Sequence, residues 1–142
     1  MRLLVRPDGQ VLVADVVTDP RYPSFDPPLP IHETIWELLF AAARQRGATI
    51  DAARRLPNLC EEAGLRVIDA RGGFQVIRDA KRPIEATRLA LESARRAVVD
   101  VGLATDAQID ALMQALIKAA DQQFRCVLGN LFVWVIAQVP SA

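Results

Sequence analysis

An α/β fold is predicted by three features of this 142-residue chain: a β-branched run near its start, apolar residues at helical spacing through its middle, and a β-rich run at its end. Taken in order, the segments alternate as strand, helix, helix, strand, helix, helix, strand, which is the pattern of an α/β domain. One domain over 1–142 is expected, because a chain of this length buries roughly 68–70% of the surface it exposes when unfolded. Hydrophobic residues make up 51% and charged residues 24%, a balance that favours a packed core over disorder.

The first strand is Gln10 to Val17, Gln-Val-Leu-Val-Ala-Asp-Val-Val, entered through the turn Arg6-Pro7-Asp8-Gly9. A nearly unbroken apolar run predicts burial on both faces, as in a parallel sheet between helices. A proline-rich loop, 18–30, follows with prolines at 20, 23, 27, 28 and 30 and the aromatics Tyr22 and Phe25. Ile31, Ile35, Leu38, Leu39 and Ala42 then recur at helical spacing, and Gly47 stops the pattern, so a helix is predicted over Ile31 to Arg46. A second starts near Thr49, with Ala53, Leu56, Leu59, Cys60 and Ala63 on one face, and Pro57 should kink it or split off its first turn. Leu65 to Ala70 is the next strand, and Phe74 to Ile77 is extended again after Gly72-Gly73. A helical pair over 83–121 comes next. Pro83 suits the first turn of one helix, with Ile84, Leu91, Ala94, Val98 and Val101 inward. Thr105 and Gln108 form a capping box for the other, whose apolar face is Ile109, Leu112, Met113, Leu116, Ile117 and Ala120. Phe124 to Gln138 is the last strand, with a bulge expected at Gly129-Asn130 and Trp134 expected in the core.

Seventeen basic and seventeen acidic side chains cancel, so nothing in the charge balance attracts nucleic acid or an anionic membrane surface. Cys60 and Cys126 have neither zinc-ligand spacing nor a histidine cluster; no metal site is expected, and both thiols suit a reducing cytoplasm. The longest charge-free apolar stretch, Cys126 to Val139, is shorter than the ~20 residues of a spanning helix.

Four pieces resemble, in order, the carboxy-terminal half of class I S-adenosylmethionine-dependent methyltransferases: Leu3 to Asp15, Arg55 to Ile68, the helical pair between, and Phe124 to Pro140. In that family an Arg-Pro-Gly-Gly type turn leads into the fifth strand and an Ala-Gly-Phe or Ala-Gly-Leu helix end into the sixth. Here the corresponding residues are Arg6-Pro7-Asp8-Gly9, with Asp8 where glycine is usual, and Ala63-Gly64-Leu65. The resemblance implies a partial Rossmann-like sheet, made of that fold's last three strands with the final one inserted antiparallel between the other two, and about four helices. It also implies S-adenosylmethionine as cofactor and a small-molecule acceptor. Glycine occurs only at 9, 47, 64, 72, 73, 102 and 129, so the glycine-rich cofactor turn has no counterpart and no cofactor-binding residue carries over. The isolated chain is therefore not expected to bind the cofactor.

Five residues are candidates for a substrate pocket. Asp15 ends the first strand at its carboxyl edge, where open α/β sheets place ligands; its alternative is a local cap. Tyr22, Phe25 and Trp36 lie in or just after the loop that walls the acceptor pocket of the resembling enzymes, or else pack that loop down. His32, the only histidine, is either a surface residue in a first helical turn or a pocket group. No catalytic residue is assigned. Arg54-Arg55 and Arg95-Arg96 fit solvated helix faces. Two functions follow: the carboxy-terminal part of a small-molecule methyltransferase, not competent alone, or a non-catalytic, self-associating relative of one. The expected partner is a second copy in a homodimer or a chain supplying the cofactor-binding half.

Overall fold

The computed structural model describes residues 5–50 and 52–141. Leu3 and Leu4, which open the strand-entry motif, and Asp51, inside the predicted second helix, lie outside the described residues. Among the described residues there are four α-helices and four strands, an α/β chain with an antiparallel sheet. The chain divides into two compact units. A sheet unit takes Met1–Val17, Asp51–Phe74 and Leu131–Ala142, and a helical unit takes Thr18–Ile50 and Gln75–Asn130.

In the sheet unit, β1 (Gln10–Val16) pairs antiparallel with the second half of β4 (Cys126–Gln138), from Gln10 opposite Gln138 to Val16 opposite Phe132. β3 (Arg66–Ile77) also pairs with β4. Arg66 bonds the Gln138 side chain, and Gly72 lies against the Phe132 carbonyl, so β3 runs opposite to β4. One backbone edge of β4 is taken by β1; β3 holds the other. A single 3-10 turn, Ala53–Arg55, leads into α2 (Leu56–Glu62), with Pro57 in its first turn, the split that proline predicts. Leu56 and Cys60 pack with Val11, Val13, Val67, Val133, Val135 and Ala137 to make the unit's core.

Two expectations for β1 are corrected here. Its sheet partner is antiparallel, and the strand is not buried on both faces: Val11 and Val13 face α2, whereas Leu12 is 69% exposed. Among the described residues of the sheet unit, α2 and the turn before it lie against β1 on one side, and the β-branched run has a wet face. β3 is also one strand where two segments were expected. A Cβ on Gly72 would stand 3.3 Å from the Phe132 carbonyl and one on Gly73 3.3 Å from the Trp134 ring, so the glycines admit a close neighbour and do not end the strand. Trp134 is half-buried, not core, and Ala63 is exposed.

In the helical unit, β2 (Ser24–Asp26) interrupts the proline-rich loop and pairs with the first half of β4, Phe25 opposite Val127. β4 continues through Gly129 without a break; a Cβ there would meet the Gln75 carbonyl at 3.0 Å. α1 (Pro30–Gln45) begins on a proline whose fixed φ suits a first turn, and Gly47 at φ +81° ends it in a conformation that favours glycine. α3 (Lys81–Asp100) is stopped by Gly102 at φ +71°, and α4 (Asp106–Ala119) opens on the Thr105–Gln108 capping box. Ile35, Leu91, Val98, Ile109 and Leu116 are wholly buried and make the core. Ile117, expected inside, is 48% exposed, so the apolar stripe of α4 is narrower than its sequence suggests. Among the described residues no helix is long and apolar enough to cross a membrane.

Candidate functional site

The helical unit holds four of the five candidate residues. Phe25 on β2 is buried, and its ring meets the His32 imidazole edge-on at 5.0 Å between centroids. Trp36, one turn further along α1, lies 6.2 Å from His32, and Phe124 closes on Phe25 at 5.3 Å. Helical spacing explains the grouping: His32, Ile35, Leu39 and Ala42 fall on the buried face of α1. Tyr22 is held by its N–H donating to the Asp19 carbonyl at 3.0 Å, and it is half-buried.

The surface placement considered for His32 does not hold. Its exposure is 0%, and neither Nδ1 nor Nε2 has a hydrogen-bond partner. Desolvation lowers its pKa from 6.5 to about 4, so the ring is neutral at pH 7. A general base must reach the proton it removes, and a nucleophile pair needs a hydrogen bond. His32 offers neither, and its surroundings are aromatic rings. Trp36 is better provided for: its Nε1–H donates to Thr87 Oγ1 at 3.1 Å, and that hydroxyl donates to the Pro83 carbonyl at 2.9 Å, tying α1 to α3. The cluster thus serves to pin the loop and α1 to the core.

Asp15 belongs to the sheet unit. Its Oδ1 accepts the Val16 N–H at 2.7 Å, the local-cap alternative. Cys60 is buried, and desolvation raises its thiol pKa, which keeps it protonated and unreactive. Among the described residues no group of three or more His, Cys, Asp or Glu is arranged to hold a metal.

Three polar features escaped the sequence, the buried Asp19 and Thr87 and the half-buried Arg95. Asp19, 7% exposed, grips the Arg21 guanidinium through both oxygens at 2.9 and 2.6 Å and fixes the loop entry. Arg95 is not a solvated residue like Arg96. It bridges Glu92 on its own helix to Asp106 and Asp110 on α4, at 3.2, 3.3 and 2.7 Å. The signal for Thr87 was its phase, three residues after Ile84 and four before Leu91 on the buried stripe of α3.

The helical unit also carries shallow grooves. One, of about 420 Å³, lies between α1 and α4 against Leu38, Leu103 and Leu112. Two of its polar atoms are already used: Thr34 Oγ1 donates to the Pro30 carbonyl and Gln108 Oε1 accepts the Thr105 N–H. Another, of about 240 Å³, runs beside Ile84, Leu116 and Ile117, with Arg88 held by Glu85 at 2.7 Å.

The residues present do not fit S-adenosylmethionine. A nucleotide-type cradle needs bare amides where a strand turns into a helix. Gly47, Gly64 and Gly102 instead follow helix ends with positive φ, Gly72, Gly73 and Gly129 sit inside strands against a neighbour, and Gly9 closes a turn on Arg6. No family model matches the chain, and no curated protein matches it.

Proposed function

We propose that these residues form the carboxy-terminal part of a small-molecule S-adenosylmethionine-dependent methyltransferase, with the cofactor-binding half supplied by other polypeptide. One observation carries it: β4 runs antiparallel between β1 and β3, the place and direction the resemblance implies for the last strand of a partial Rossmann-like sheet. The proline-rich loop would stand on the acceptor side, with Phe25, His32 and Trp36 as its anchor and the half-buried Tyr22 as its remaining aromatic. A cytoplasmic location agrees with the free thiols of Cys60 and Cys126.

Isothermal titration with S-adenosylmethionine tests this on the chain alone and on the complex it forms with the polypeptide encoded beside it. No saturable heat from the chain and micromolar binding by the complex are expected. Micromolar binding by the chain alone, or none by the complex, overturns the proposal. The open sheet face of β1 favours a second function, a non-catalytic self-associating module, which predicts a tight dimer that binds no cofactor.

A further inference from the structure

His32 stands in the first turn of α1, wholly buried, with both ring nitrogens unpartnered. Such a place is costly for a neutral imidazole and far more so for an imidazolium, which carries two N–H donors and a full charge. The helix adds to the cost, because the amides of a first turn present the positive end of the backbone dipole. Charged neighbours do not offset it. In the proline-rich loop Asp19 is gripped by Arg21, and Asp26 faces Arg125 at 3.7 Å. On α1 Glu33 and Glu37 are exposed, as is Asp121 ahead of Phe124. On α3 Lys81 and Arg82 are exposed and Glu85 is taken by Arg88. Burial alone moves the His32 pKa, with no charged side chain acting on it.

A proton on His32 therefore has to be met by water, and the elements around the ring differ in how readily they yield. α3 and α4 are locked together by the wholly buried Leu91, Val98, Ile109 and Leu116 and by the Arg95 bridge. The proline-rich loop is held more lightly. Five of its residues are prolines, which have no N–H to donate, and its one strand, β2, is three residues long. Its buried members of the helical core are Phe25 and Leu29, and both bear on His32: the Phe25 ring meets the imidazole edge-on, and the Leu29 carbonyl accepts the His32 N–H at 3.0 Å.

We propose that His32 is an acid latch for the proline-rich loop: when the ring takes up a proton, β2 parts from β4, the loop swings off α1 and the ring reaches water, while α3 and α4 stay packed. Opening uncovers Trp36, Phe124 and the backbone of β4 at Val127. The open form binds the proton more tightly than the closed one, so the closed form prevails above pH 6.5 and the opening equilibrium rises as the pH falls towards 4. Between those values linkage raises it about 30-fold by about pH 5. The latch requires neither a cofactor nor a second polypeptide.

The test is hydrogen exchange of the full chain, read by mass spectrometry at about pH 7.5 and about pH 5 and corrected for the intrinsic rate at each. Amides of 24–32 should lose about 30-fold in protection between the two conditions. At both they should open more readily than the amides of 91–98 in α3 and 109–116 in α4. His32 is the only histidine, so its ring resonances follow the same event directly and should titrate well below 6.5. In His32→Leu, and in His32→Gln should the leucine variant not fold, the pH-dependent loss at 24–32 should vanish. The proposal is overturned if 24–32 keeps its protection at the lower pH, or loses it equally in the variants. Exchange at 24–32 no faster than in the two helix segments overturns it too, because the opening is then global unfolding. So does a ring that titrates at its ordinary value while 24–32 stays protected.

Discussion

The helical unit closes its core on every side, whereas the sheet unit closes only one of two faces. Twelve buried residues from α1, α3, α4, β2 and β4, with Leu29, make up the first core, and wholly buried side chains recur along each long helix. The second has four, Leu56, Cys60, Val135 and Ala137, under one short helix. Apolar side chains therefore serve two purposes: in one unit they hold the fold together, and in the other Leu12, Ile68 and Phe132 are left facing water.

The largest expected effect comes from the closed core. Leu116→Ala removes a wholly buried side chain and should cost about 2–5 kcal/mol, read as a shifted urea midpoint. Arg96→Ala, at an exposed position, is the control, and equal midpoints would place the buried face of α4 elsewhere.

His32 makes the stability of the helical unit depend on pH. Its folded pKa, about 4, lies below the unfolded 6.5, so between these values the unfolded chain binds more protons. Stability is fully present above pH 6.5 and falls by roughly 3 kcal/mol as the pH drops to 4. His32→Leu should flatten urea midpoints over that window and, by removing two buried unpaired nitrogens, raise the midpoint at pH 7. An unchanged slope in the variant would assign the acid sensitivity to other groups.

Leu56→Ala tests the open core. It should cost about 2 kcal/mol, the low end for a buried leucine, because a small cluster under one helix relaxes into the space more readily. A loss as large as that of Leu116→Ala would mean the sheet unit is as tightly closed as the helical one. Leu12→Ser is the smallest change. Stability of the isolated chain should move by no more than about 0.5 kcal/mol, since the side chain it removes is already wet.

Much of the helical unit was legible from residues with one strong preference. The Thr105–Gln108 box, Gly47 and Gly102 each mark a boundary that the backbone respects there, and Pro57 marks one in the sheet unit. His32 was misjudged because the periodicity was traced through apolar residues alone. Its phase with Ile35, Leu39 and Ala42 held the information, and Thr87 was in phase with Ile84 and Leu91 in the same way. Arg95 and Arg96 cannot be told apart by composition, since only the meeting of α3 with α4 makes one a bridge. β1 failed for another reason. A β-branched run states what a strand is able to bury, and what covers it depends on residues elsewhere. The candidate pocket was only half legible, because aromatics after a proline-rich loop look alike whether they line a cavity or fasten the loop.

The separation of β1 from β4 also shapes how the protein is made. Gln10 pairs with Gln138 and Val16 with Phe132, so β1 leaves the ribosome well over a hundred residues before its sheet neighbour exists. At about 5–20 residues per second, that leaves a seven-residue apolar segment without its pairing strand for roughly 6–25 s. The helical unit, whose α1, α3 and α4 lie between the two strands in sequence, is synthesised in that interval. Aggregation during expression should therefore depend on translation speed and temperature more than on the stability of the finished fold, with β1 as the sticky segment.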